Sequence, residues 1–194
     1  MIQMSYVKGL TVLLIVMVAG FAWPAQSVDC VYRAKNGKAD RSGPVREYKN
    51  CGICVGGRVT LSRQYLGRLH YDNDGLATVF VQGQHYYVKR NGSMLPVVAY
   101  DKWADDYSEG LVRSAVEGKI AFYDRGFKQI ILPRYDWAAP FAEGRALVCI
   151  GCKDEPPDEE GHTPLAGGTW GYIDKKGEEV IPLSHTRKEA EQMW

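Results

Sequence analysis

Five cysteines carry the most specific chemistry in this 194-residue chain: Cys30, Cys51, Cys54, Cys149 and Cys152. The last four fall into two Cys-x-x-Cys motifs, Cys51-Gly52-Ile53-Cys54 and Cys149-Ile150-Gly151-Cys152, far apart along the chain. In an oxidising compartment such residues form structural disulfides, and that is the leading reading. Closing a bridge within one motif is worth about 1.9 kcal/mol in the loop-entropy model, whereas a bridge between motifs would give about 4.7 kcal/mol. Stability favours the long bridge, but the sequence leaves the connectivity open, and one cysteine is left over, free or pairing between molecules. A second reading makes Cys51, Cys54, Cys149 and Cys152 a four-thiolate zinc site. A third makes one motif a thiol–disulfide redox centre, which needs a low-pKa thiol at a helix start; no βαβ pattern surrounds either motif. Haem attachment is excluded, because Val55 and Lys153 stand where a histidine is required.

Other constellations are weaker. His70, His85, His162 and His185 are scattered, with no spacing that puts two on one metal. Asp154, Glu155, Asp158, Glu159 and Glu160 gather around Pro156 and Pro157, but without the ligand alternation of a calcium loop, so they read as a solvated acidic loop. There is no Gly-x-Ser-x-Gly, no phosphate-binding loop and no His-Glu-x-x-His. No catalytic residue and no cofactor is therefore assigned. Lys plus Arg number 24 against 23 Asp plus Glu, so the basic field that nucleic-acid binders need is missing.

The first segment reads as an address. Lys8 is the one charge before Leu10–Trp23, an apolar run too short for the roughly 20 residues of a bilayer span. Small residues follow at Ala25 and Ser27, so residues 1–27 are expected to be a cleaved secretory signal, giving a periplasmic or secreted protein. An uncleaved N-terminal helix anchoring the chain to the membrane is the alternative. Asp29 stands where a lipobox wants a small residue before Cys30, which argues against lipidation.

The body of the chain repeats. Gly75-Leu76, Gly110-Leu111 and Gly144-Arg145 recur at a spacing near 35, and Tyr107-Ser108-Glu109-Gly110 matches Phe141-Ala142-Glu143-Gly144. Tyr100-Asp101 and Tyr135-Asp136 recur at the same period. Between these marks lie short aromatic and β-branched runs, His85–Val88, Ile120–Tyr123 and Trp170–Ile173, each leading to a turn glycine, Gly92, Gly126 or Gly177. Those glycines are expected to supply the positive φ of a hairpin turn. Pro96, Pro133 and Pro182 are expected to stop the returning strands. A lone hairpin is marginal in water, so neighbouring units must stack on a shared core.

These features predict an all-β fold: tandem antiparallel hairpins stacked into a solenoid- or propeller-like array. The organisation is a capping region at 28–74, repeats at 75–182 with an acidic insertion at 151–167, and a tail at 183–194. Ser184 is a plausible N-cap for a short C-terminal helix through helix-forming residues. Met193 and Trp194 at its end offer a partner contact.

The segment Trp170-Gly171-Tyr172-Ile173-Asp174-Lys175-Lys176-Gly177-Glu178-Glu179-Val180-Ile181-Pro182 resembles a WG repeat, also called a KWG repeat. The upstream units resemble it in turn glycine and proline, with His85-Tyr86 and Ile120-Ala121 in the Trp-Gly positions. The resemblance implies a bacterial β-repeat protein, often exported, that binds other molecules, and it carries over no catalytic residue. The function expected is a non-enzymatic module of the bacterial envelope, with Trp103, Trp137, Trp170 and the tyrosines as anchors for a protein, peptide or glycan. A thiol–disulfide oxidoreductase is the alternative.

Overall fold

The computed structural model describes residues 23–33, 45–100, 102–157 and 163–194. The apolar leader at residues 1–22, with the helix expected there, lies outside the described residues, as do Asp101 and residues 158–162 of the acidic insertion. Among the described residues, no helix is long and apolar enough to cross a membrane.

The chain is mostly β and antiparallel throughout. The N-terminal part runs β1 (Gln26–Arg33), β2 (Val45–Val55), β3 (Arg58–Leu61) and the single-turn α1 (Arg63–Leu66). The first repeat follows as β4 (Leu76–Val81), β5 (Gln84–Lys89) and β6 (Met94–Val97), and the six strands form one sheet in the order β3-β2-β1-β4-β5-β6. The capping region thus shares a sheet with the first unit. After the small pair β7 (Ala99–Tyr100) and β8 (Trp103–Ala104), the second repeat is β9 (Leu111–Val116), β10 (Lys119–Asp124) and β11 (Gln129–Tyr135). The third is β13 (Arg145–Asp154), β14 (Leu165–Asp174) and β15 (Glu179–His185), with β12 (Trp137–Ala138) paired to β13 and α2 (Arg187–Gln192) closing the tail.

Each unit contains the expected hairpin and extends it to a three-stranded meander, because the segments after Gly75, Gly110 and Gly144 are strands themselves. Two-residue turns join the first two strands of the first and second units. Gln82-Gly83 and Glu117-Gly118 both hold positive φ at both residues, the conformation that matches the strands' right-handed twist. Glu109-Gly110 and Glu143-Gly144 adopt the same pair of positive φ values, which explains why Glu-Gly recurs.

The second turn of each unit corrects the expected register. Gly92 and Gly177 have φ of 87° and 84°, but in the middle unit the left-handed residue is Phe127, at 65°, and not Gly126. The turns superpose by their hydrogen bonds: Gly92 donates to Lys89, Phe127 to Asp124 and Gly177 to Asp174. Gly126 thus sits one place early. Phe127 carries the strain in exchange for packing its ring into the apolar cluster of Leu95, Val97 and Val112.

The prolines also act differently from expectation. β6, β11 and β15 continue through Pro96, Pro133 and Pro182, which is permitted because each is the outer strand of its own meander and the missing N–H breaks no inner ladder. In the second and third units the register slips at the proline: Ile120↔Tyr135 is followed by Phe122↔Ile131, and Trp170↔His185 by Tyr172↔Ile181. This bulge explains Gly171. A Cβ there would lie 2.4 Å from the Ile181 carbonyl oxygen and 2.7 Å from that of Pro182. Gly171→Val is expected to cost about 2–3 kcal/mol by overpacking, read as a lower thermal midpoint; an unchanged midpoint would show that the bulge can relax.

Two of the apolar cores lie between successive units. Leu76, Tyr87, Leu95 and Val97 of the first pack with Val112 of the second, and Leu111, Phe122, Ile131 and Tyr135 of the second pack with Ala146, Val148 and Ile173 of the third. One ring pair recurs at each step: Tyr87 with Tyr107 at 5.0 Å, Phe122 with Phe141 at 4.9 Å, and Tyr172 with Trp194 at 4.9 Å. Each unit's central aromatic is covered by a ring from the chain that follows. In the third unit that ring comes from beyond α2, which starts at Thr186 and not Ser184. Ser184 is still in β15, and Thr186 forms a capping box with Glu189. The Thr186 backbone and hydroxyl hydrogen bonds hold the Glu189 carboxyl below its usual range.

Candidate functional site

The cysteines divide between the two ends of the molecule. Cys30 on β1 and Cys51 on β2 form a disulfide, with Cα atoms 5.9 Å apart, inside the core that also holds Val28, Tyr32 and Tyr65. Cys149 and Cys152 form a second within β13, with Cα atoms 6.1 Å apart, against Trp137 and Trp170. Cys54 is the unpaired cysteine and is buried. It faces Gln26, four residues from Cys30, about 13 Å along β1 at strand rise. No bridge joins the two motifs, because they lie in different sheets and different cores. The same separation keeps Cys51, Cys54, Cys149 and Cys152 from converging on one zinc ion. Among the described residues no group of three or more His, Cys, Asp or Glu comes together to hold a metal. Both motifs lie on strands, so neither has the helix N-terminus that would lower a thiol pKa.

The histidines are placed by structure. Tyr32 hydroxyl meets both backbone groups of His70, His85 lies against the Phe80 ring at 4.7 Å, and His185 pairs with Trp170 in the ladder. His162 lies outside the described residues. Trp170, expected as an anchor, is only 2% exposed and belongs to the core, with its indole N–H donated to the Gly167 carbonyl at 2.8 Å. Trp103 and Trp137 are half-buried. The acidic insertion is partly strand: Gly151–Asp154 continue β13 and Leu165–Gly167 continue β14.

Cations stack on aromatic rings at several points along the chain, and in the first two units the stack recurs at equivalent places. Arg90 lies over Tyr71 at 4.3 Å and Arg125 over Tyr107 at 4.5 Å. Tyr71 and Tyr107 each open a unit, and the arginines come from that unit's second turn. At the far end Arg145 covers Trp194 at 4.4 Å, and Arg187 lies over Trp137 and Trp170. Ion pairs bind one unit's opening turn to the next unit's second turn: Asp74 to Arg125 at 2.5 Å and Glu109 to Lys175 at 3.2 Å. Burial pushes the Glu109 carboxyl up, but Lys175 and the Gly144 N–H outweigh it and hold the group below its ordinary value. Lys119 and the Gly151 N–H likewise depress Asp136.

One buried group had no counterpart in the sequence reading. Arg113 and Asp105 form a two-pronged ion pair at 2.7 and 2.9 Å, with 6% and 3% exposure. The remaining guanidinium nitrogen, Arg113 Nη1, donates to the Ala138 carbonyl at 2.7 Å, and the Tyr87 hydroxyl donates to that of Asp105 at 2.9 Å. The pair ties all three units together. Its only trace in the sequence is an arginine in a strand whose neighbours, Leu111, Val112 and Ser114, are all buried. A separate shallow recess of about 230 Å³ on the N-terminal sheet is lined by Asp29, Lys49, Phe80 and Gln82.

The family model described as WG containing repeat matches residues 121–153 and 170–183. Those stretches of the chain are WG-containing repeats. The matched stretches run from within β10 through β11 and β12 into β13, and from Trp170 in β14 to Leu183 in β15. The first WG-type unit lies outside the match, and its kinship rests on geometry: the same meander, the same second turn and the same covering ring. No curated protein and no solved structure matches the chain.

Proposed function

We propose that this protein is an exported, non-enzymatic WG-repeat binding module of the bacterial envelope, whose units continue as a solenoid-like stack and present their cation-capped rings to a protein or peptide partner. The leader composition and the two disulfides support export to an oxidising compartment. The observation that carries the reading is the recurrence of an arginine stacked on a ring, Arg90 on Tyr71, Arg125 on Tyr107 and Arg145 on Trp194, at 4.3, 4.5 and 4.4 Å, with the Tyr71 ring buried beneath its arginine. Arginine and aromatic residues are the groups that dominate protein interfaces, and here their planes are held in place before any partner arrives. A partner with carboxylates spaced along an extended segment suits arginines that recur in this way.

The test compares the full chain with an Arg90→Glu/Arg125→Glu/Arg145→Glu variant as bait in envelope extracts, with cross-linking to identify what is held. A partner retained by the first and lost by the second is the expected result. Equal retention by both would defeat the reading. A thiol–disulfide oxidoreductase remains the second reading, favoured by one observation: Cys149 and Cys152 are closed on each other within their motif. Insulin reduction measures it, and turnover that disappears in Cys149→Ser would replace the binding module with an enzyme.

A further inference from the structure

We propose that the Cys149–Cys152 disulfide is a redox-controlled joint that sets the direction of the two-stranded ribbon formed by Ile150–Asp154 and Leu165–Thr169. The inference stands apart from the binding reading and needs no partner.

The ribbon begins where the sheet's support ends. β12 reaches β13 only at Val148 and Cys149, and β15 reaches β14 no further than Trp170. Beyond those residues the two strands pair only with each other, from Ile150↔Thr169 to Asp154↔Leu165. Glycines mark this boundary on both strands: Gly151 has φ of 81°, and Gly167 and Gly168 have 67° and 69°. Strand residues hold negative φ, so left-handed glycines facing one another bend both strands at the same level.

The disulfide closes the inside of that bend. A Cβ on Gly168 would lie 2.7 Å from Cys149 Sγ and 2.4 Å from the Cys152 nitrogen, so the neighbouring backbone presses directly on the bridge. Asp136 holds the joint from the second unit by accepting the Gly151 N–H at 2.7 Å. Two bonded sulfurs sit about 2 Å apart, whereas unbonded ones need roughly 3.5–4 Å. With Gly168 against Cys149, that extra space exists only if the bend opens.

The reductant is a dithiol. Its thiolate attacks the Cys152 sulfur, the more exposed of the two at 6% against 0%. The sulfur–sulfur bond breaks, Cys149 leaves as a thiolate and takes a proton, and a mixed disulfide forms on Cys152. The second thiol of the reductant then displaces Cys152, which is protonated in turn, and the reductant departs as its own disulfide with both electrons accounted for. An oxidising dithiol–disulfide partner runs the same steps backwards.

Hydrogen exchange of the full chain, with and without excess dithiothreitol, tests the joint. Amides at 150–154 and 165–169 are expected to exchange about ten-fold faster after reduction, over and above any uniform change set by global stability and read on β9–β11, and to return on reoxidation. The Cys149→Ser/Cys152→Ser variant, which keeps Cys30–Cys51, should reproduce the reduced pattern. Reduction of Cys30–Cys51 in the first arm registers separately, in β1 and β2. Unchanged ribbon exchange would overturn the proposal. So would faster exchange throughout β12–β15, because the bridge would then be a staple for the whole sheet.

Discussion

Arg113→Met is expected to cost the fold about 3–5 kcal/mol, the loss typical of breaking a buried ion pair from one side. The change leaves the Asp105 carboxylate, 3% exposed, without its two nitrogen donors at 2.7 and 2.9 Å, and leaves the Ala138 carbonyl without its partner. Asp105→Asn is expected to lose a comparable amount, because it leaves the buried Arg113 guanidinium without a counter-charge and sets an amide donor against its N–H groups. The paired change Arg113→Met/Asp105→Leu is expected to recover most of the loss, since a well-packed apolar pair of similar volume often matches a buried salt bridge. Urea denaturation of the three variants checks the series. A single-variant loss below about 1 kcal/mol would mean that the pair is wet in solution, as exposed pairs are.

The second large effect separates the two disulfides. Cys30 and Cys51 are 21 residues apart and Cys149 and Cys152 only 3. In the loop-entropy model Cys30→Ser/Cys51→Ser therefore removes about 3.4 kcal/mol and Cys149→Ser/Cys152→Ser about 1.9 kcal/mol. Thermal unfolding of the two double variants should rank them in that order, with the larger loss at the N-terminal sheet. Maleimide labelling of the wild type should find one thiol, Cys54, and only after denaturation, because it is buried. Two or more labelled thiols in the native, unreduced protein would contradict the pairing.

The repeat was legible because its glycines and prolines answer to backbone geometry, which the sequence records residue by residue. Glu109-Gly110 and Glu143-Gly144 announce the same turn, and Trp170-Gly171 announces a close approach that only the bulge explains. Gly126 misled because nothing local distinguishes it from Phe127. The neighbouring unit's Leu95 and Val97 decide that the ring, and not the glycine, takes the left-handed place. The first strand of each unit is not legible in the sequence, because runs such as Leu76–Val81 follow a turn glycine and read as its flank. The Arg113–Asp105 pair was invisible for another reason: the matching strand positions in the other units, Thr78 and Leu147, carry no charge, so the period gave no warning. The disulfide connectivity depended on which sheets the motifs enter, and no spacing records that.

The ring pairs described above give the array a direction in time. Tyr87, Phe122 and Tyr172 each wait for a partner that lies further along the chain, at Tyr107, Phe141 and Trp194. A ribosome releases the N-terminal side first, so no module can seal its centre until about twenty more residues have emerged. Maturation should advance as a front that trails synthesis by one module. Premature termination anywhere in the array would then spoil two modules: the one cut, and the one before it left with a bare ring.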